Sequence, residues 1–174
     1  KYIDIYGKDS QGLVESDGER KIQFQRLPQR YQKSLRKDVW DLSENSAGVS
    51  ISFKTNSSKL SVKWTVKLDF SMDHMTDVGV KGIDLYYKEN GRWSYLSSGI
   101  PSGKRNKASL FKGFSEESRE YRLHLPLYDS VTSLQMGIHE DSSFEIVKYK
   151  DLPIVFYGTS ITQGGCASRP GMAH

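Results

Sequence analysis

Residues 60–70 read Leu60-Ser61-Val62-Lys63-Trp64-Thr65-Val66-Lys67-Leu68-Asp69-Phe70, six apolar side chains alternating with five polar ones. A period of two puts every apolar group on one side of an extended chain and every polar group on the other, so the segment predicts a strand with one buried face. Ahead of it Val49, Ile51 and Phe53 alternate with Ser50, Ser52 and Lys54, and Asn56-Ser57-Ser58 between the two supplies turn chemistry. The pair is expected to form an antiparallel hairpin. A second hairpin is expected where Ile83-Asp84-Leu85-Tyr86-Tyr87 meets Trp93-Ser94-Tyr95-Leu96 across Glu89-Asn90-Gly91, because Asn-Gly tolerates the positive φ of a tight turn. Tyr121-Arg122-Leu123-His124-Leu125 and Leu134-Gln135-Met136-Gly137-Ile138 alternate again. No stretch before residue 150 reads as a convincing helix. Short strands with one greasy face each predict a mainly β fold for residues 1–150, an antiparallel β-sandwich of jelly-roll-like form.

At 174 residues the chain has room for one such domain and a fraction of another. Aromatic residues at 11% lean towards β-structure and towards surfaces that bind. No apolar run approaches the roughly eighteen residues of a membrane span. No leader precedes Lys1, which fits either a cytosolic protein or a mature exported one with its signal peptide removed. Net charge is +4 and the pI about 9.0. The basic residues are scattered, and the looser cluster Arg26, Arg30, Lys33, Arg36 and Lys37 reads as a solvated face, so no nucleic-acid partner is expected. The single cysteine, Cys166, excludes an internal disulfide and a cysteine metal site, and is expected to be a small buried hydrophobe. Four histidines without ligand spacing predict no metal, and nothing calls for a cofactor.

The pattern changes at Lys150-Asp151-Leu152-Pro153. Ile154-Val155-Phe156-Tyr157 is apolar without alternation, as in a parallel strand covered on both faces. A boundary near Pro153 is therefore expected, with 1–150 an accessory sandwich and 151–174 the first strand and helix start of an α/β domain. Gly158-Thr159-Ser160-Ile161-Thr162-Gln163-Gly164-Gly165 follows. Small residues there permit a sharp strand-to-helix turn that pushes the Ser160 hydroxyl out at the sheet's carboxyl edge. The same turn aims the Ser160 backbone N–H at a developing oxyanion. Gly158, Thr159 and Gly164 are read as turn formers, and the Gly-x-Ser-x-Gly spacing of a nucleophile elbow is absent.

The block Phe156-Tyr157-Gly158-Thr159-Ser160-Ile161-Thr162-Gln163-Gly164 resembles the first motif of SGNH (GDSL-like) hydrolases, with Thr159 where Asp is usual. Gly82-Ile83-Asp84-Leu85-Tyr86 resembles the Gly-x-Asp-Leu-Tyr motif that names the β-domain of one branch of that superfamily. Leu42 to Gly48, Met72 to Met75, Leu125-Pro126-Leu127-Tyr128 and Gly165 to His174 are similar to that branch as well. The resemblance implies an esterase in which Ser160 attacks an ester carbonyl, forms an acyl-enzyme and is released by water. Its base and orienting carboxylate would come from a later Asp-x-x-His motif, with further oxyanion donors from a later Gly and Asn. None of those blocks is in these 174 residues, and an α/β core needs roughly 150 more. The chain by itself is expected to be close to inactive, completed by a C-terminal catalytic domain. Without partner strands Ile154 to Tyr157 is expected to expose an apolar edge, and the tail 158–174 to be poorly ordered or packed on a neighbouring molecule. The resemblance also implies export, with the protein secreted or periplasmic.

Each candidate has a plainer alternative. Ser160 is a nucleophile or an ordinary helix N-cap. His74 lies in a polar loop, Asp69 to Gly82, and is either a substrate contact over the cleft or solvated. Trp93, after the hairpin turn, is either a substrate contact or a hairpin residue, whereas Trp64 belongs to an alternating core face. Asp84 and Tyr86 share a face opposite Ile83, Leu85 and Tyr87, and Asp84 is read as bonding locally. His174 lies in the wrong block to serve as base. Two functions remain open on sequence alone: hydrolysis of small acyl esters, acetyl above all, on carbohydrate, or a non-catalytic carbohydrate-binding sandwich. An acylated carbohydrate or other small ester is the expected partner.

Overall fold

In the computed structural model of the chain, residues 1–14, 18–148, 154 and 156–173 are described. The strands among them are β1 (Tyr2–Ile5), β2 (Ser50–Thr55), β3 (Lys59–Val66), β4 (Ile83–Glu89), β5 (Arg92–Gly99), β6 (Arg105–Lys112), β7 (Arg119–His124), β8 (Val131–Gly137) and β9 (Phe144–Ile146). They form two antiparallel sheets in the orders β1-β8-β3-β6 and β5-β4-β7-β2-β9. Without β9 these are the orders of a jelly roll, and the mainly β sandwich expected from the sequence is what forms. Only the β4–β5 connection stays within one sheet, through the Asn90-Gly91 turn with φ of 50° and 78°.

The alternating segments fold as strands because a period-2 chain can hide its apolar row only against a second sheet. Ile51, Phe53, Val62, Trp64, Ile83, Leu85, Leu123, Leu134 and Met136 meet there, all buried. Phe53 stacks on Tyr121 at 5.5 Å and on Phe144 at 5.2 Å between centroids. Trp64 satisfies its one polar atom by donating from Nε1 to the Lys81 carbonyl at 2.9 Å. Full burial of side chains of this size is worth about 1.5–3 kcal/mol each.

Three local expectations need correction. Residues 49–53 and 60–70 do not pair with one another: β2 pairs with β7 and β9, whereas β3 pairs with β6 and β8. The Asn56–Ser58 corner carries the chain across the sandwich instead, stitched by Ser57 Oγ, which donates to the Lys59 carbonyl at 2.6 Å and accepts from the His139 amide at 2.9 Å. Secondly, the alternation runs to Phe70 but β3 stops at Val66, and Leu68 is exposed. Here the chain turns around the fully buried Asp129 carboxylate. Asp129 Oδ1 accepts from the amides of Lys67 (3.2 Å), Leu68 (3.0 Å) and Ser130 (2.8 Å), and Oδ2 from that of Asp69 (2.8 Å). Thirdly, two short helices occur before residue 150, α1 (Lys37–Ser43) and α2 (Asp77–Lys81). Neither is long enough to show a period of 3.6, although Thr76 caps α2 by accepting from the Gly79 amide at 3.1 Å.

The Lys67 amide also donates to the Ser130 carbonyl at 2.9 Å, but the amides of Leu68, Asp69 and Ser130 have no other acceptor described, so losing the carboxylate strands those three. Asp129→Ala is expected to lower the unfolding free energy by about 3 kcal/mol, and Asp129→Asn, which keeps one acceptor oxygen, by less. Urea denaturation checks both; a cost for alanine under about 0.5 kcal/mol would remove the carboxylate as the organiser of this turn.

Candidate active site

Ser160 opens a one-turn helix, α3 (Ser160–Gln163). Its N-cap is Thr159, whose Oγ1 accepts from the Ile161 amide at 3.4 Å. Capping is therefore done by the neighbour, and the exposed Ser160 hydroxyl takes no hydrogen bond among the described residues. The Ser160 N–H lies in the first turn, where amides have no intrahelical acceptor. Gly158 sits so close to Thr162 that a Cβ on it would lie 2.2 Å from Thr162 Oγ1. Gly164 ends the helix in the left-handed region at φ 98°.

Four separated stretches hold this turn. The Ser160 carbonyl accepts from the Gly165 amide at 2.7 Å and from the Tyr128 hydroxyl at 3.2 Å. Gln163 donates from Nε2 to the Leu127 carbonyl at 3.0 Å and accepts at Oε1 from Arg26 Nη2 at 3.2 Å. Arg26, whose pKa burial pushes down, also donates to the carbonyls of Leu42 (2.6 Å) and Asn45 (3.2 Å). Thr76 Oγ1 donates to the Ser168 carbonyl, and the Ala167 carbonyl lies against Gly79, where a Cβ would approach within 2.4 Å. Ala167 and Ala173 pack on a small apolar cluster of Ala47, Met75, Val80, Leu127 and Tyr128, apart from the main core.

Further along, Arg169 donates from Nη1 to Asp84 Oδ2 at 2.9 Å and also bonds the Tyr86 hydroxyl. The same carboxylate oxygen accepts from the Gly171 amide at 3.0 Å, and Oδ1 accepts from Ser98 Oγ at 2.6 Å. Tyr86 donates onward to the Gly171 carbonyl at 3.2 Å. Its ring passes so near that a Cβ at Gly171 would lie 2.4 Å from it. The Arg169 guanidinium stands 4.0 Å over the Tyr95 ring.

The family GxDLY, described as the N-terminus of Esterase_SGNH_hydro-type, matches residues 1–144. The chain belongs to it. Residues 151–174 match the GDSL-like Lipase/Acylhydrolase family. The crystal structure of a putative GDSL-like lipase from Bacteroides ovatus ATCC 8483 is 35% identical, with a TM-score of 0.90 over 99% of this chain and 51% of that one. The salicylyl-acyltransferase SsfX3 of a tetracycline biosynthetic pathway shares the fold at 16% identity, with a TM-score of 0.57 over 98% of this chain and 49% of that one. The chain thus spans about half the length of both. No curated protein matches it.

The GxDLY motif supplies both Asp84 and Tyr86, so Asp84 bonds not only across its hairpin to Ser98 but to a segment 85 residues away. His74 sits exposed at the tip of the Met72–Met75 turn, next to the Thr76 contact with the tail. Trp93 is half-buried on β5, with Arg122 4.4 Å and Lys88 5.5 Å from its ring centroid. Cys166 is exposed with φ 65°, not buried, because the chain reverses there after α3. Ile154, Phe156 and Tyr157 are exposed, as expected of an apolar edge, but lie outside any strand, which differs from the strand expected of them; Val155, the boundary at Pro153 and His174 lie outside the described residues. The tail expected to be loose instead docks on the sandwich by the polar and apolar contacts above. Among the described residues no His, Cys, Asp and Glu cluster could hold a metal, and no helix is long and apolar enough to cross a membrane.

Arg169, Gln163, Tyr128 and Arg26 escaped the sequence because each acts across more than thirty residues of chain. His124 escaped too. It pairs with Asp84 across β4 and β7 and lies edge-on to Tyr86 at 5.3 Å. Burial pushes its pKa down to about 4, with the charges of Arg122 and Arg169 acting the same way and Asp84 opposing. An unfolded histidine titrates near 6.5, so as pH falls from about 6.5 to about 4 the unfolded chain takes up a proton that the folded one refuses. Stability from this group is complete above 6.5 and drains through that window. Wild type is expected to lose about 2 kcal/mol more than His124→Gln between pH 7 and pH 4. Equal losses in denaturant titrations at the two pH values would contradict it.

Proposed function

We propose that this chain is the front part of a serine esterase in which Ser160 is the nucleophile and its backbone N–H an oxyanion donor. The substrate is a small acyl ester, acetyl above all, carried on carbohydrate, and the protein works outside the cytoplasm. The observation that carries this reading is the Ser160 hydroxyl itself: exposed, relieved of capping by Thr159, and standing in a segment that matches the GDSL-like Lipase/Acylhydrolase family. In such a site the hydroxyl oxygen adds to the ester carbonyl, the alcohol departs, and water releases the acyl group from the serine.

A hydroxyl is a weak nucleophile unless a base takes its proton. Among the described residues no histidine is hydrogen-bonded to Ser160, so the base and its orienting carboxylate are assigned to the remainder of a longer protein. The same remainder is proposed to cover Ile154, Phe156, Tyr157 and Ile161, which lie between 70% and 90% exposed. Residues 1–150 then form an accessory sandwich and 151–174 begin the catalytic domain. His74, beside the docked tail, is proposed as a contact for the substrate's sugar.

In the full-length protein Ser160→Ala is expected to lower kcat on p-nitrophenyl acetate by about 10³-fold or more. The 174-residue chain alone is expected to release no p-nitrophenol above the rate of a Ser160→Ala control. A full-length variant that keeps its rate would end the assignment of Ser160.

A further inference from the structure

We infer that Asp84 and Tyr86 are positioning residues for the Ser160 turn, acting through Arg169 and Gly171; this rests on Ser160 being the nucleophile. The turn is fastened at two ends. At one, the Tyr128 hydroxyl holds the Ser160 carbonyl. At the other, Asp84 and Tyr86 hold Arg169 and Gly171 by four hydrogen bonds. Between them the Gly165 amide returns to Ser160 and the Ala167 amide to Gly164, so the segment is a closed loop with little slack. The two fastenings share a foundation. Asp84 and Tyr86 stand on β4, Tyr128 follows β7 by four residues, and β4 and β7 are hydrogen-bonded neighbours with Asp84 opposite His124. A sheet fixes the spacing of adjacent strands at about 4.8 Å, so both ends of the serine loop are referred to one rigid frame.

Burial keeps Asp84 out of direct chemistry. Asp84 has no exposed surface, and both its oxygens are filled, one by Ser98 and the other by Arg169 and Gly171. It has no lone pair turned to a substrate or a proton. Arg169 engages the same carboxylate and Tyr86 through Nη1, and its guanidinium stands over the Tyr95 ring. What the clamp supplies is placement, and misplacement of a reacting atom by about 1 Å can cost 10²-fold in rate.

The test uses the full-length protein and the variants Asp84→Asn, Arg169→Met, Arg169→Lys and the double Asp84→Asn/Arg169→Met. Active sites are counted by labelling with a serine-directed fluorophosphonate, so that a misfolded fraction does not pass for a slow enzyme. Asp84→Asn and Arg169→Met are expected to lower kcat per labelled site on p-nitrophenyl acetate about tenfold with KM changed less than about twofold. The double variant is expected to be no slower than the worse single one, and Arg169→Lys to recover part of the loss. Per-site kcat within about twofold of wild type in both single variants, or losses that multiply in the double, would overturn the clamp. Amide exchange in the 174-residue chain judges it independently of catalysis. Residues 160–171 are expected to exchange at least about tenfold faster in Asp84→Asn with β2 and β7 unchanged, and equal exchange would overturn the clamp even if Ser160 proves to be the nucleophile. Conversely, failure of Ser160→Ala to slow the enzyme, with the exchange result intact, would remove the nucleophile and leave the docking.

Discussion

A carboxylate shut away from water has to be met by donors, and the position of those donors then ceases to be free. Asp84 is such a group. Its requirements reach from the start of β4 to Arg169 and Gly171, and in meeting them the chain is drawn back across the sandwich just after the serine. Asp129 imposes the same discipline elsewhere, gathering four amides from two segments and ending β3. The apolar core decides that there is a sandwich; the two buried carboxylates decide how the chain leaves it.

The sandwich was legible because alternation is a direct record of which side of a strand is dry. Val62, Trp64 and Val66 could face nowhere but inward, and Asn90-Gly91 marked the one hairpin that stays in a single sheet. Alternation does not say which strand lies alongside. Residues 50–55 and 59–66 are separated by a short corner and yet belong to different sheets, since a jelly roll passes the chain from layer to layer at almost every turn. The same blindness applies to charge. Lys59 faces Lys112 and Lys63 faces Lys107 across β3 and β6, so lysines scattered in sequence become neighbours on one outer face, with Lys63 3.8 Å above the Tyr2 ring.

The candidate site was legible in the segment around Ser160 and opaque in its supports. Gly158, Thr159, Ser160 and Gly164 stand within one heptad, and their chemistry is local: a cap, a close approach, a left-handed end. Tyr128, Gln163, Arg26 and Arg169 carry no such local mark. Each is an ordinary polar residue whose role exists only after distant strands have been brought together. Sequence stretches resembling one enzyme branch, Leu42 to Gly48, Met72 to Met75 and Leu125 to Tyr128, converge on the tail through Arg26, Ala47, Met75 and Leu127. Their separation in sequence hid a single contact region.

A helix of one turn cannot sustain itself, because nucleation fixes several residues for a single hydrogen bond. The four residues of α3 therefore owe their geometry to what surrounds them: the Thr159 cap, Gly164, the Tyr128 hydroxyl and the Arg26–Gln163–Leu127 chain. Three of those four supports reach into the sandwich rather than staying in the segment that carries the serine: Gly164 lies against Leu127. Rigidity at Ser160 is thus delivered from the first 150 residues, while the apolar stretch that leads into it is the part left exposed. A sandwich that holds a turn so short determines where that turn's hydroxyl stands.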